Sequence, residues 1–447
     1  MLPLRAASRA PVALALSLAA LGCGARTTLD DGGGPSSAAC TPPPPKVDVN
    51  GVWAIALGQA TADDATFGVD VATDDAGGVV VAAALADVDL GCPLTPRSGP
   101  GDLVIVKLDE RDGSVAWTHA IGGPGFEADQ VHVGLDARGR VYALATNHQG
   151  TPLTLEDGTV VAAPFVVALD QDGALRFARE VPEGPAITYV GGAPFVFSVA
   201  ADGTFALAGG VVGDALVNGV SLPGGPGPES AAFVAVFGDD GAPVTAFEIE
   251  ERDVPPLARI DALHFLPGGD LLVGGERFGV DGQPSSLYRT SAAGRLRWST
   301  GVNASVLAVR TDDVLLKENG PDPFARVDLG SGVPSVFAAS IIHPEQPPSF
   351  RAAAAQGDGP AFFAGQWPPR DKPSEDVLAA VGAPTQLTDT FGCTAWNTFT
   401  GVAVAASGAP VVVGYLEGDA QLGVGVTLDP TCTGLRCATI FVSRIPF

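Results

Sequence analysis

Short apolar runs alternate with Asp- and Gly-rich turns along most of the chain. Near the start, FGVDVATD alternates apolar and polar positions, and DAGG separates it from the Val-rich run GVVVAAAL (78–85). DLVIVKLD (102–109), the turn ERDG and SVAWTHAIG (114–122) follow. Val-rich strands of about 5–8 residues bounded by Asp/Gly turns are typical of antiparallel hairpins. The pattern therefore predicts one unit of four antiparallel strands.

The same unit recurs along the chain, and we align seven copies. The later units contain VHVGLDARGRVYALAT, FVFSVAADGTFALAGG, IDALHFLPGGDLLVGG, SVLAVRTDDVLLKE, SFRAAAAQGDGPAFFAG and GVAVAASGAPVVVGY. Repeats of about 40–60 residues built from four strands are typical of β-propellers. The sequence thus predicts an all-β fold, a β-propeller of seven four-stranded blades.

The seventh unit ends after TIFVSRIPF and lacks its fourth strand. The missing strand is predicted at the other end of the chain, where VWAIALG repeats the W-x-x-x-[IL]-G pattern of Trp117 to Gly122. We therefore expect the N-terminal and C-terminal strands to pair. A ring closed in this way has no exposed sheet edge.

Aromatic residues recur at one place in the predicted fourth strand, namely Trp53, Trp117, Phe177 and Trp298. Blades fan apart away from the axis, so a large ring at this place can fill the wedge between neighbouring blades. We expect these rings to be packing residues rather than a platform for an aromatic ligand.

Composition narrows the class of protein. The 58 Gly and 38 Pro residues argue against long helices. There are 25 Lys and Arg against 50 Asp and Glu, a formal net charge of −25. That balance disfavours binding to nucleic acid or to an anionic membrane surface through a basic patch.

The N-terminus has the features of an export signal. Arg5 and Arg9 precede the apolar run 12–21, which is shorter than the roughly 20 residues that a membrane span needs. Ala20-Leu21-Gly22-Cys23 resembles the lipobox of bacterial lipoproteins, although that family most often has Leu three residues before the Cys. The alternative is an ordinary signal peptide that is cut nearby.

The lipoprotein resemblance implies a domain plan and a location. Residues 1–22 would be a signal peptide, and Cys23 would carry a diacylglycerol anchor at the start of a flexible stalk over 23–45. The propeller would occupy 46–447. Gly24 stands where Asp is the usual inner-membrane retention signal in the family, which favours the outer membrane, facing the periplasm or the cell surface.

The pattern D-x-[FLV]-V-x-[KAR]-[LF]-D-x-D-G-x-x-x-[WF] is clearest in Asp102 to Trp117 and in Phe165 to Phe177. In these residues the chain resembles the bacterial seven-bladed β-propeller repeat family, which implies a fold and no particular activity. The K-L-D…D-G…W string is also similar to a blade of the quinoprotein dehydrogenases, but the vicinal Cys pair and the matching site motif are absent from the sequence.

Acidic turns at Asp109/Asp112, Asp170/Asp172 and Asp239/Asp240 each offer two carboxylates. A calcium loop of the EF-hand type needs further ligands and a distal Glu, so we expect ordinary hairpin turns. No cofactor is expected, with calcium as the open alternative. The histidines are scattered and form no H-x-H or H-E-x-x-H motif.

Four cysteines, Cys92, Cys393, Cys432 and Cys437, fall in predicted loops on one face beside the closure of the ring. An exported chain can oxidise them. Cys432–Cys437 and Cys92–Cys393 form the preferred pairing, and reduced thiols are the alternative. Cys40 in the stalk is left over.

The same face carries the long loops 86–101, 146–163, 212–231, 276–285 and 416–438, whereas the opposite face has short turns. Binding usually resides on loops held by a rigid scaffold. We expect an envelope-anchored, non-catalytic scaffold for a protein or glycan partner. The alternative is an exported lyase or hydrolase, which would need His, Arg and acidic side chains from different units to converge at the mouth of the axial channel.

Overall fold

The computed structural model describes the chain as a series of ranges. They are residues 46–47, 53–61, 68–85, 87–88, 102–122, 126, 128–147, 152–155, 159–162, 164–181, 195–211, 213–223, 231–249, 257–277, 286–302, 306–317, 324–336, 349–367, 375–381, 388–391, 397–416, 420–421, 427–428 and 437–445. All regular structure in these ranges is β-strand. Accordingly, no helix in this part of the chain is long and apolar enough to span a membrane.

Seven four-stranded antiparallel units follow one another along the chain, and we number them as blades one to seven. Blade one comprises Val69–Thr73, Gly78–Leu85, Asp102–Asp109 and Val115–Ile121; blade two Ala128–Leu135, Val141–Asn147, Phe165–Leu169 and Leu175–Glu180; blade three Val196–Val199, Phe205–Val211, Ala231–Phe237 and Pro243–Glu248; blade four Leu257–Phe265, Asp270–Arg277, Ser286–Ser291 and Leu296–Gly301. Blade five comprises Leu307–Val309, Asp313–Lys317, Phe324–Asp328 and Pro334–Val336; blade six Ser349–Ala355, Ala361–Trp367, Glu375–Val381 and Thr388–Phe391; blade seven Asn397–Val404, Pro410–Leu416, Cys437–Arg444 and Trp53–Thr61.

The predicted all-β, seven-bladed propeller is confirmed by this arrangement. Within each blade the strands pair in order, from the first strand, at the axis, to the fourth, at the rim. Blade five has the shortest strands. Three short hairpins lie in connections between second and third strands: Leu153–Thr154 with Val160–Val161, Ala215–Val217 with Val220–Leu222, and Ala420–Gln421 with Thr427–Leu428.

The two ends of the chain meet in blade seven, as the sequence predicts. Ile55 lies opposite Val442 in an antiparallel ladder, and the Ser443 hydroxyl donates a 3.0 Å hydrogen bond to the Trp53 carbonyl. Lys46–Val47 pairs on the outer side of this strand. From blade one, Asp87–Val88 pairs with Gly58 and Gln59, so backbone hydrogen bonds join three separate segments at the seam.

The hydrophobic core lies between the blades rather than within any one of them. One cluster combines Val71 and Val79 of blade one with Val413 and Val442 of blade seven. The second strands are buried on both faces because each sheet is covered by a neighbour on either side, which explains the uninterrupted apolar run of Gly78–Leu85.

Aromatic rings of the fourth strands lie on glycines of the next blade. A methyl group added at Gly113 would be 2.8 Å from the Trp53 ring, and one at Gly173 would be 2.8 Å from Trp117. The same contact joins Phe177 to Gly241, Phe247 to Gly294, and Trp298 to Gly332. The expected wedge position is therefore occupied, and each turn glycine leaves room for the ring beside it.

Candidate functional site

All seven blades together build an axial channel. It holds a cavity of about 540 Å³, lined by the first strands of all seven blades. Each first strand begins at the link from the preceding blade and ends at the first short turn. The channel therefore runs from the face of the long loops to the face of the short turns. A cavity of this size falls within the range of small-molecule sites, roughly 300–1,000 Å³.

Polar side chains connect the free inner edges of neighbouring first strands. The Asp70 carboxylate accepts the Val133 N–H at 3.0 Å, and the Ser198 hydroxyl accepts the Phe265 N–H at 3.0 Å. Thr73 donates to the Val404 carbonyl at 2.7 Å, across the closure of the ring. An inner strand lacks a ladder partner on its channel side, so these side chains satisfy backbone groups that would otherwise depend on water.

β-Bulges place charged residues in the channel wall. The pairing of first and second strands shifts register at Asp261 in blade four and at Arg351 in blade six. A bulge re-aims the side chain of the extra residue. In blade four it requires a glycine in the second strand, because a methyl group at Gly275 would lie 2.2 Å from the Arg259 carbonyl oxygen.

The two bulged residues differ in their partners. Asp261 is held by the Arg259 guanidinium, with Nε 2.5 Å from Oδ1. Arg351 is exposed to the cavity and makes no ion pair with any residue in the described ranges. Its charge acts on Tyr415 of blade seven: burial raises the pKa of this phenol above its ordinary value, and Arg351 partly opposes that increase.

Two histidines from different blades also line the cavity. His132 Nδ1 lies 3.7 Å from Asp70 Oδ2. His264 is partly buried in the cavity wall, and burial lowers its pKa to about 4 although the negative charge of Asp70 opposes this shift. At neutral pH His264 is therefore an uncharged imidazole.

Apart from Arg351 and the turn residue Gln356, blades five to seven contribute alanines and aliphatic residues to the wall. Its residues include Val306, Leu307, Ala352–Ala355 and Val402–Val404. Because the side chains on this side of the channel are small, they leave open space. The polar groups of the other blades face that space.

The convergence that an enzyme would require is present in part, since His, Arg and Asp side chains of several blades line one cavity. The arrangement does not form a nucleophile–base couple in the described ranges. The Ser198 oxygen accepts a backbone N–H and has no His or carboxylate partner there. His264, with its pKa near 4, is a weak general base.

Acidic side chains on the opposite face are engaged in their own turns. Asp170 accepts the backbone N–H groups of Asp172 and Ala174, each at 2.9 Å, and Asp240 accepts that of Ala242 at 2.9 Å. Burial opposes ionisation of Asp74, but the Gly78 N–H and the Lys107 ammonium, 2.9 Å away, hold its pKa below the ordinary value. Over the described ranges, no three His, Cys, Asp or Glu side chains are grouped to hold a metal ion.

Two of the long loops fold as hairpins on the rim. In blade two, Leu153 and Val161 are buried against the blade core while Val160 is 63% exposed. In blade three, Val217 and Leu222 are buried and Leu216 is 54% exposed. These hairpins present apolar side chains outward from a rigid base.

Most of the other predicted site residues lie outside the described ranges. They are Cys23, Cys40, Cys92, Cys393 and Cys432, together with the stalk and signal segments. Cys437 begins the third strand of blade seven, where its backbone pairs with Thr61. The proposed lipid anchor and disulfides remain predictions.

No protein-family model matches the chain, and neither does any curated protein. Solved structures are similar to it. The β-propeller domain of the Trilobed protease from Pyrococcus furiosus is 10% identical over 78% of this chain and 91% of that one, with a TM-score of 0.44. The Cps50 (Swd1) β-propeller domain of Myceliophteria thermophila is 12% identical over 87% and 97%, also with a TM-score of 0.44.

The acylaminoacyl peptidase of Pyrococcus horikoshii is 11% identical over 82% of this chain, with a TM-score of 0.48. The chain spans about half of that protein, 52% of its length. These similarities say nothing about activity. The strand pairing of the chain itself defines it as a seven-bladed β-propeller, a fold that fits a binding or scaffold role.

The sequence analysis missed one wedge residue and the bulges in the channel wall. Phe247 is not among the predicted wedge residues, because Thr245 occupies the equivalent register position opposite Val236 and the ring comes two residues later on the same face. The bulges at Asp261 and Arg351 were also missed. Their only sequence signal is the Gly that ends the apolar run of the second strand, as in LLVGG and FFAG.

Proposed function

We propose that the protein is a non-catalytic binding scaffold of the cell envelope, which contacts a protein or glycan partner through its long-loop face. The observation that carries the proposal is the pair of rim hairpins with Val160 and Leu216 exposed above buried neighbours. Each hairpin is fixed by side chains buried in the blade core, and binding usually resides on loops held by a rigid scaffold. Engagement of the channel serine and of the turn carboxylates in backbone hydrogen bonds supports binding over catalysis.

Site-specific photo-crosslinking in cells tests the contact face. The chain offers matched positions, because Val244 and Val333 are 64% and 60% exposed but follow short turns on the opposite face. A benzoylphenylalanine at position 160 or 216 should crosslink to one envelope component, and the same residue at 244 or 333 should not. Equal crosslinking from both faces, or crosslinking only from the short turns, would contradict the proposal.

Anchoring through Cys23 is part of the same proposal and has its own test. Cys23→Ala should abolish the diacylglycerol mass on the mature N-terminal peptide and release the protein from the membrane fraction. Cys40→Ala removes a nearby cysteine and should leave both unchanged. A Cys23→Ala protein that still fractionates with the outer membrane would show that the lipid anchor is not at this residue.

A further inference from the structure

Opposite charges line the axial cavity without neutralising each other. Asp70 of blade one and Arg351 of blade six both line it. In the part of the chain that the structure describes, Arg351 has no ion-pair partner. There Asp70 has no Lys or Arg within ion-pair distance, only the His132 ring at 3.7 Å. Asp70 is partly buried, and a charge that is partly removed from water is costly unless it is paired.

Both groups lie beside blade seven, one on each side of it. Asp70 reaches the inner strand of blade seven, because a methyl group added at Gly401 would be 3.4 Å from Asp70 Oδ1. Arg351 lies close enough to Tyr415 of the same blade for its charge to act on the phenol. The wall between them has no large side chain, since blade seven lines the cavity with Val402, Ala403 and Val404.

The two charges also lie at similar depth. The first turn of blade one begins at Asp74 and that of blade six at Gln356. Asp70 lies four residues before its turn, and Arg351 lies five residues before its own. One residue along a strand corresponds to about 3.3 Å. Both positions are nearer the long-loop face than His264, which is two residues before its turn at Leu266.

We propose that the axial cavity binds a small zwitterion of the amino-acid type, with its carboxylate on Arg351, its ammonium group on Asp70 and an apolar side chain against the alanines of blade six. A guanidinium recognises a carboxylate by charge-assisted hydrogen bonds. Each Asp70 oxygen already accepts one backbone N–H, from Val71 or Val133, and keeps a second lone pair for an ammonium donor. An uncharged His264 deeper in the channel can donate one hydrogen bond and accept another.

A ligand with one charge alone fits less well. A simple anion would meet Arg351 but also the carboxylates of Asp70, Asp74 and Asp75, and a simple cation would leave Arg351 without a counter-ion. A zwitterion places opposite charge against each group. This cavity is separate from the rim hairpins, so it can act whether or not those hairpins bind a partner.

Isothermal titration calorimetry on the purified full-length chain tests the assignment with three probes of nearly equal size. L-Phenylalanine carries both charges, phenylalaninamide lacks the carboxylate, and N-acetylphenylalanine lacks the ammonium group. Phenylalanine should bind saturably at one site, with each capped probe weaker by about tenfold or more, the loss expected for a charge-assisted contact.

Variants assign the charges to residues. Arg351→Gln should bind phenylalanine about as weakly as phenylalaninamide and should not distinguish the two, whereas Asp70→Asn should lose the preference over N-acetylphenylalanine. Arg295→Gln makes the same charge change on an exposed turn of blade four and should bind like the wild type. Asp70 also supports blade packing, so Arg351→Gln is the decisive variant if Asp70→Asn does not fold.

No saturable binding of phenylalanine, equal binding of all three probes, or wild-type binding by Arg351→Gln would each overturn the proposal. Photo-crosslinking from positions 160 and 216 does not depend on this cavity. Loss of the zwitterion site would therefore leave the scaffold proposal standing, and loss of the crosslinks would leave the zwitterion site standing.

Discussion

Ile55 and Val442 face each other across an antiparallel ladder near the two ends of the chain. Beside them Ser443 is hydrogen-bonded to Trp53, 390 residues away in sequence. Contacts of such long sequence separation cost loop-closure entropy before they stabilise the fold. The stability of the ring therefore depends on strong local packing at this seam.

Trp53 provides that packing. Its side chain is completely buried, its ring lies on Gly113, and its Nε1–H donates a 2.7 Å hydrogen bond to the Glu110 carbonyl of blade one. Trp53→Ala should lower the free energy of unfolding by about 3–5 kcal/mol, the usual range for a buried large aromatic. Urea denaturation followed by circular dichroism measures the loss.

Two controls separate the ring from its N–H group. Trp53→Phe keeps most of the apolar contact and should cost less, about 1–3 kcal/mol, chiefly for the unpaired carbonyl. Trp117→Ala affects a partly exposed ring with the same kind of contact and should also cost less than Trp53→Ala. Equal losses at Trp53 and Trp117 would show that the closing seam has no special role.

Gly332 is required both for its backbone conformation and for the space that it leaves to a neighbouring ring. Substitutions can separate these two requirements. Its φ is 72°, and an added methyl group would lie 2.6 Å from the Trp298 ring. Gly357 also has a positive φ, 54°, but open space around it. Gly357→Ala should cost about 1–2 kcal/mol for backbone strain alone. Gly332→Ala should cost about 1–3 kcal/mol more because the ring must move.

The Trp298→Ala background checks the cause. If steric overlap with the ring is responsible, the extra cost of Gly332→Ala over Gly357→Ala should largely disappear when the ring is absent. An unchanged difference in that background would place the cost elsewhere in the turn. The comparison uses thermal or urea unfolding of each glycine variant in both backgrounds, together with the wild type and the Trp298→Ala protein.

Arg140 joins blades two and three through ion pairs. It pairs with Asp136, whose side chain is fully enclosed, and its Nη1 lies 2.9 Å from Asp239 Oδ2 in blade three. Arg140→Ala leaves a buried carboxylate without its counter-ion and should cost about 3–5 kcal/mol. The loss should appear as a lower midpoint in urea.

Arg111 is the matched control, since it pairs with Asp109 while its own side chain is 84% exposed. Solvent and salt screen such a pair, and Arg111→Ala should leave the free energy of unfolding nearly unchanged. High salt should diminish even that small effect. A loss at Arg140 as small as that at Arg111 would refute a structural role for the buried pair.

His264 makes stability depend on pH. The unfolded chain takes up a proton near the ordinary imidazole pKa of 6.5, whereas burial in the folded channel lowers the pKa to about 4. Between these values the unfolded state binds more protons, so stability is lost as the pH falls through this window. The contribution of this group should decrease by up to about 3 kcal/mol.

His264→Gln removes the titrating group, so the difference in unfolding free energy between wild type and variant isolates it from every other ionisation. That difference should shift in favour of the variant on acidification from about pH 7 to about pH 4. A difference that stays constant over this range would show that His264 keeps an ordinary pKa in the folded protein.

The number of blades and their strand boundaries follow closely from the sequence. GVVVAAAL and DLVIVKLD were predicted as strands and are found as Gly78–Leu85 and Asp102–Asp109. Local hydrophobic periodicity and Asp/Gly turns determine such elements, because a strand buried on both faces needs a continuous apolar run whatever its neighbours are. The terminal pairing was predictable for a similar reason, since Trp53 carries the repeat pattern of Trp117 at a position where one strand was missing.

The candidate site was not predictable in the same way. Asp70, His132, Asp261 and Arg351 come from different repeats, and only the closed ring places them around one cavity. Phe247 was missed because its position depends on the register of blade three, and Arg351 because a bulge aims it. Register and bulges depend on packing against neighbouring blades, which one sequence does not display.

The sequence by itself determined the repeating unit, the seven-fold count and the closure of the ring, because these depend on local alternation and turn chemistry that each repeat contains. The tertiary structure decided which polar side chains share the channel and which charges there lack a partner. Those relationships arise between strands that are far apart in the chain, and they exist only when the blades pack around a common axis.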